Sequence, residues 1–419
     1  MMRVLLLVET LSIGGLPNYV LELARALSER GDQVALAHGG GVVPEYLDCR
    51  GVELLALSTW GFEYPYDLQQ SLQVMRNWRA DVLHVHLCSV LPLLQALPSL
   101  GIPLLRSFHD YTSMCLRRGR RRFPGDRCAR ALGWSCITQG CLIGAPKPGG
   151  RVPGLQNLPA KLAERGLYQA FSAAVVGSQH MRRVLLVNGF ANERVQVVPY
   201  FSRFDQQAQG QVAMLEAKAA GIAGRERPLQ LLFTGQAVKG KGLEVLVKAL
   251  AQVRGDWRLT AISSGPRLPV ARALAERYGI AGRIEFIEWL PQQALAGYYR
   301  VADLFVLPSV WDDPGPLVGI EAMSFETPVL AFAVGGITDY VLDGKTGLQA
   351  ATVSAAGLAQ GLQRALDGHV DLLVLGRAAR ALVAQQHGRS QHISRLQQLY
   401  RDVLMGQAQA ASVLVEACK

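Results

Sequence analysis

The chain is poor in charge, poor in aromatic rings and without a long unbroken apolar run. Of its 419 residues only 18% are Asp, Glu, Lys or Arg and 7% are Phe, Trp or Tyr, while 50% are hydrophobic. Such a composition excludes disorder, which goes with little apolar content and high charge. With no aromatics interleaved among its arginines, and no clear nucleic-acid-binding motif, it offers no stacking platform for a nucleic acid partner. The apolar residues form no membrane span, which needs about 20 in succession. LCSVLPLLQALPSLGIPLL is broken by three prolines, LLVLGRAARALVA carries two arginines, and MRVLLLV is too short. The first residues hold one arginine, a brief apolar run and then Glu9, with no cleavage-site pattern. They are expected to be a first strand, and the expected compartment is the cytosol. Also missing are G-x-G-x-x-G, so no dinucleotide fingerprint, and paired C-x-x-C motifs, so no strong zinc signature.

What is present is an alternation. At 419 residues the chain exceeds the size at which one core usually stops growing, so two domains of about 200 residues are expected. MRVLLLV, the turn SIGG, the helical repeat YVLELARALSERG and the run QVALAHGG make a β-turn-α-β opening. DVLHVHL, IPLLRSFHD and AAVVGSQ add strands. After VVPYFSRFDQQAQGQ the pattern restarts with LQLLFTG, GKGLEVLVKALAQV, WRLTAISSG, IEFIEWL, ADLFVLPS and TPVLAFAV. Short apolar strands separated by helices specify parallel sheets covered on both faces. The division is expected at 1–200 and 201–385, with an Arg- and Cys-rich insertion at about 113–165. The stretch 386–419 is expected as a helix packing back on the first domain, followed by a tail from 408.

One stretch carries most of the chemistry: PSVWDDPGPLVGIEAMSFETPVLAFAVGG, residues 308–336. Asp313 lies in the loop after a strand and Glu321 about a turn inside the following helix. Carboxylates accept hydrogen bonds from vicinal hydroxyls, a helix start favours an anion, and Gly315, Gly335 and Gly336 permit close backbone approach. The residues alone point to a polyhydroxylated, phosphate-bearing ligand.

This stretch resembles the retaining glycosyltransferase family 4, the glycosyl transferases group 1 type, through Pro308, Ser309, Asp313, Gly319, Glu321, Ala322, Met323, Pro328, Val329, Gly335 and Gly336. The resemblance covers nearly the whole chain. It implies a GT-B fold, α/β, with two Rossmann-like α/β/α domains facing across a cleft. It implies Asp313 at the transferred sugar, where the family usually has glutamate, and Glu321 at the nucleotide ribose. In TGQAVKGKGLEVLVKAL it places Lys241 on the donor diphosphate, with Gln236 where the family has arginine and Lys239 as a partial substitute. It places Gly14 and Gly15 near donor phosphate and acceptor, His109 of the H-D pair in the cleft, and FIEWLP (286–291) at the base. His84 and His86 share one strand face; His86 is the nearer to the cleft.

The implied reaction moves a hexose from a UDP-, GDP- or ADP-sugar to an acceptor hydroxyl, with no cofactor required for catalysis. The acceptor is expected to be a glycan, lipid-linked molecule or polysaccharide precursor. Residues 1–200 carry 21 Lys and Arg against 14 Asp and Glu, and RRGRRR at 117–122 is followed by Arg127 and Arg130. An anionic membrane surface fits such a patch. Cys115, Cys128, Cys136 and Cys141 sit together in the insertion. Structural zinc, an iron-sulfur cluster, free thiols and disulfides are all open for them. The rival readings are a nucleotide-sugar epimerase of the same fold, a sucrose- or starch-type synthase, and a non-catalytic sugar-nucleotide-binding protein.

Overall fold

The computed structural model describes residues 1–11, 15–39, 43, 49–58, 67–121, 127–146, 153–204, 227–288, 290 and 292–417. The chain forms two compact units, Met1–Val198 with Ser390–Lys419, and Pro199–Arg389. Each is a parallel sheet flanked by helices, a Rossmann-like α/β/α unit, and the two together make the GT-B fold.

The first unit contains strands β1 (Arg3–Val8), β2 (Gln33–Gly39), β3 (Glu53–Leu57), β4 (Val82–Leu87) and β5 (Leu104–Phe108). A two-stranded antiparallel pair follows, β6 (Ile143–Pro146) with β7 (Pro153–Leu155), and then β8 (Ala173–Val176) and β9 (Val195–Val197). The main sheet runs β3-β2-β1-β4-β5-β8-β9. Val4 to Leu7 of β1 are completely buried, as a strand covered on both faces requires. The helices start where a side chain can satisfy a free backbone N–H. Asp67 accepts from Gln70, Asn157 from Ala160, and Ser178 from Met181. The helix Leu158–Gln169 therefore begins inside the stretch expected as an insertion. The helix Arg389–Ala417 runs on through the residues expected as a tail. Ile393, Leu396 and Tyr400 of this helix are buried, and Gln397 donates to Asp32 Oδ2 at 2.6 Å within the same unit.

The second unit contains β10 (Leu229–Thr234), β11 (Trp257–Ile262), β12 (Ile284–Ile287), β13 (Leu304–Leu307), β14 (Val329–Phe332) and β15 (Gly347–Ala350), in the order β12-β11-β10-β13-β14-β15. Strand order reverses between β10 and β13 here and between β1 and β4 in the first unit. In open parallel sheets ligands sit beyond the carboxyl ends of the strands at such a reversal. The elements expected to carry chemistry, the loops after β10 and β13 and the H-D pair after β5, lie at or next to these ends.

Candidate active site

In the second unit three strand-end loops are fitted to one another by backbone. Gly335 has φ 57°, and a Cβ there would lie 2.1 Å from the carbonyl oxygen of Asp313. The Gly336 N–H donates to that same oxygen at 2.7 Å. A Cβ on Gly240 would meet the Trp311 ring at 2.0 Å, and Val310 N–H donates to the Gly240 carbonyl at 2.9 Å. Only glycine permits these approaches. The loops so joined bring Lys241 Nζ to 2.5 Å from Asp313 Oδ2, both side chains partly exposed. Residues 72 apart in the chain thus form one charge-assisted pair at the end of the sheet.

Glu321 lies in the helix Leu317–Ser324 and is 2% exposed. A buried carboxylate needs compensation, and it has three contacts of this kind. Arg203 places Nε 2.7 Å from Oε1 and a terminal nitrogen 3.2 Å from Oε2. Tyr299 OH donates to Oε2 at 2.9 Å. A phenol has one proton, so Tyr299 accepts from Thr234 Oγ1, 3.1 Å away at the last residue of β10. Burial, and then the charge of Glu321, hold the Tyr299 phenol well above its ordinary pKa, so it stays a donor. Gly315 turns with φ 157° against the ring of Tyr200. Gln236 and Lys239 are exposed in the loop after β10. The segment expected at a base ends its strand at Ile287, with Phe286 beneath the Arg272 guanidinium at 4.9 Å. Trp289 and Pro291 lie outside the described residues.

In the first unit one carboxylate lies at the corresponding reversal, where Glu9 after β1 accepts from Ser89 N–H at 2.8 Å and from Ser89 Oγ at 2.7 Å after β4, and a row of histidines lies beyond it. His84 and His86 alternate onto one face of β4, their ring centroids 4.2 Å apart. His86 Nδ1 lies 3.1 Å from His109 Nε2, with the two rings stacked. Tyr19 meets both rings edge-on and bonds His392 through its hydroxyl at 2.9 Å. His84 is held by Tyr400 OH at 2.7 Å and Ser107 Oγ at 2.8 Å. Burial lowers the pKa of all three histidines, His84 and His86 on β4 and His109 just after β5, with the Arg106 charge and neighbouring imidazoles adding to it. His84 falls to about 3, and His86 and His109 fall well below the usual value. The row is neutral at pH 7. Gly15 opens the helix Gly15–Glu29, and Gly14 lies outside the described residues.

The metal site envisaged for the insertion is not assembled. Cys115, Cys128, Cys136 and Cys141 are all free thiols. Among the described residues no three His, Cys, Asp or Glu side chains come together as metal ligands. The physical reason is apolar packing. Cys141 is buried with Leu116, Leu132 and Leu158, and Cys136 packs against that cluster. Burial first, and the neighbouring Cys136, Cys115 and Cys128 thiols next, raise the Cys141 pKa. The arginine run is not uniformly solvated either: Arg117 and Arg118 are exposed, whereas Arg120 is buried over Tyr111. Arg122 lies outside the described residues.

Lys241, Asp313, Glu321, His109 and His86 are thus legible in the sequence, but the partners of Glu321 and the ring that packs on the histidines are not. Arg203 and Tyr299 of the second unit, and His86 and Tyr19 of the first, complete the two constellations. Of these, only His86 carried a sequence signal, its place beside His84 on one strand face.

Two family models match the chain: Glycosyl transferases group 1 over residues 214–381 and Glycosyltransferase Family 4 over residues 13–201. D-inositol 3-phosphate glycosyltransferase from Nocardia farcinica is 30% identical over 352 residues, covering 80% of this chain and 73% of the relative. 2-deoxystreptamine glucosyltransferase from Streptomyces kanamyceticus is 25% identical over 331 residues, covering 77% of each. Among solved structures, Anabaena HepE in complex with UDP aligns with a TM-score of 0.73 at 16% identity, over 96% of this chain and all of the other.

Proposed function

Because the chain belongs to glycosyltransferase family 4, the glycosyl transferases group 1 type, we propose that it transfers a hexose with retention of configuration. It is a glycosyltransferase that moves a sugar from a nucleoside-diphosphate sugar to an acceptor. The observation that carries the finer reading is the combination of a buried Glu321 with the Lys241–Asp313 pair on the segments that follow β10 and β13, where strand order reverses. Glu321 accepts the vicinal hydroxyls of the ribose. Lys241 holds the diphosphate and stabilises the charge that grows on it as it leaves. Asp313 orients the hexose, and Gly315, like Gly14 and Gly15 in the first unit, lets backbone N–H groups approach. Gln236 lies beside the diphosphate and donates as a neutral amide. Neutral His109 donates a hydrogen bond to sugar or phosphate. The departing diphosphate takes the acceptor proton on the face it leaves, so catalysis rests on positioning and charge.

The acceptor we infer is a hydroxyl of a glycan, lipid-linked molecule or polysaccharide precursor, met by a chain bound peripherally to an anionic membrane surface. Support comes from one stretch of the first unit, where exposed Arg117, Arg118, Arg127 and Arg130 accompany exposed Trp134, Ile137, Ile143 and Leu155. Among the described residues no helix is long and apolar enough to cross a membrane.

Calorimetric titration of UDP-, GDP- and ADP-sugars into the unmutated chain and into Glu321→Ala tests the donor site. Selective binding that the substitution weakens by tenfold or more supports it, and no binding across the panel overturns it. Acceptors to screen include D-inositol 3-phosphate and 2-deoxystreptamine, with the product anomer read by NMR; an inverted anomer rules out retention. Equal sedimentation with neutral and anionic vesicles, or none with either, rules out the charge-driven surface. The exposed neutral Gln236 favours one rival, a binding protein without turnover. Selective binding with no product from any acceptor would select it.

A further inference from the structure

We propose that Arg203 is the second cation of the donor diphosphate site, stored on Glu321 until a nucleotide displaces it. The inference rests on the donor reading above and deepens it by naming a residue that no motif assigns.

Glu321 has few acceptor sites left for a ligand. A carboxylate offers about four lone-pair positions. Oε2 of Glu321 already accepts twice, from a terminal nitrogen of Arg203 and from Tyr299, and Arg203 Nε stands 2.7 Å from Oε1. A vicinal diol needs one acceptor site on each oxygen, and with Oε2 filled and the guanidinium against Oε1 it cannot dock until the guanidinium leaves. Tyr299 is fully buried and tied to Thr234, so it stays. Arg203 is the group that leaves. It is partly exposed, and its Nε, although 2.7 Å from Oε1, is buried without an aligned acceptor. Its attachment to Glu321 is mainly electrostatic, and its hydrogen-bonding capacity is not fully used.

Charge points the same way. The Lys241–Asp313 and Arg203–Glu321 pairs each cancel, which leaves Lys239 as the exposed cation of the β10 loop beside neutral Gln236, and a diphosphate takes more than one cation. Releasing Arg203 from Glu321 supplies one at the moment the diol takes the carboxylate. A planar guanidinium suits two phosphate oxygens at once.

Arg203 is also anchored where its side chain can swing. The backbone on either side of Arg203 is fixed. Ser202 N–H donates to the His387 carbonyl at 3.3 Å, and Phe204 is buried against Tyr299 and Phe325. The side chain therefore pivots from a fixed Cα. Glu321, Tyr299 and Thr234 lead in a continuous hydrogen-bonded line from the guanidinium to the end of β10, two residues before Gln236.

The test compares UDP, GDP and ADP with their nucleosides by calorimetry on the unmutated chain, Arg203→Gln and Arg203→Lys. Arg203→Gln is expected to weaken the best-bound diphosphate by about 10- to 100-fold, the range for hydrogen bonds to charged groups. Its nucleoside affinity is unchanged or tighter, because Glu321 is no longer contested. Arg203→Lys recovers part of the loss. Equal weakening of nucleoside and diphosphate, or an unchanged diphosphate affinity, overturns the proposal and leaves the donor reading intact. Failure of the unmutated chain to bind any of the diphosphates removes both. If Arg203→Gln does not fold, modification of arginines by phenylglyoxal on the unmutated chain, mapped by mass spectrometry, replaces it. UDP then protects Arg203 while uridine increases its labelling; protection by both or by neither overturns the proposal.

Discussion

The two Rossmann-like units place polar clusters at the carboxyl ends of parallel strands and solve the burial of those clusters in opposite ways. In the first unit His84, His86 and His109 are kept uncharged by burial beside Arg106. In the second, full charges are kept and each is paired, Lys241 with Asp313 and Arg203 with Glu321. Neutral groups in a row discriminate by shape and hydrogen-bond direction. Paired charges are worth most to a ligand that brings charge of its own and can exchange partners. The difference suits the donor reading proposed above, in which the second unit handles the polyanion, and it can be broken or sharpened at three levels.

The largest effect belongs to acid. A histidine whose folded pKa is depressed binds its proton in the unfolded chain first. The stability it contributes is complete above about pH 6.5 and is lost as pH falls toward the folded value, which for His84 is about 3. One pH unit below 6.5 each such histidine costs about 1.4 kcal/mol, so three cost about 4 kcal/mol. The expected outcome is that the strands of the first unit lose hydrogen-exchange protection between pH 6.5 and 5.5, after correction for intrinsic rates, before those of the second. Simultaneous loss in both units would remove the contrast.

Next comes the paired charge. Lys241→Met leaves Asp313 uncompensated and takes a cation from the leaving group, and a fall in kcat of about 100- to 1,000-fold is expected. Asp313→Asn in the same background is expected to cost much less than in the unmutated chain, because the partner charge is already gone. Additive losses would show that the pair does not act as a unit.

The extent to which these clusters were legible follows from how local their causes are. The α/β alternation, the Asp313–Glu321 spacing and the glycines that admit Asp313 are written within a few residues of one another, because backbone approach and strand burial act locally. Arg203 lies 118 residues from Glu321, and Tyr19 lies 373 from His392. Those partners are chosen by tertiary packing, and periodicity carries no trace of them. The cysteines of the insertion left metal, free thiols and disulfides open because their spacing fits no one of these. The leucines between and beyond them, which fold Cys141 into an apolar cluster, act only through tertiary packing. The helix Leu158–Gln169 was hidden inside the same stretch because its only start signal is Asn157 ahead of a proline.

The smallest effect concerns proton position. Each neutral imidazole carries one N–H. His86 Nε2 is buried with no hydrogen-bond partner among the described residues. An orphaned buried N–H is rarer than an orphaned acceptor, so the His86 proton belongs on Nδ1, where it donates to His109 Nε2 at 3.1 Å. His109 then accepts through Nε2, and its own proton sits on Nδ1. His86 thus sets the tautomer and orientation of the His109 ring. Nitrogen-15 NMR of the histidine rings is expected to report Nδ1–H for both. His86→Asn, whose amide can donate from nearly the same place, is expected to keep the His109 pattern. His86→Phe is expected to change it and to lower kcat about tenfold, equivalent to about 1.4 kcal/mol. An Nε2–H signal from His109 in the unmutated chain would reverse the donor assignment and, with it, the reading that the neutral row works by hydrogen-bond direction.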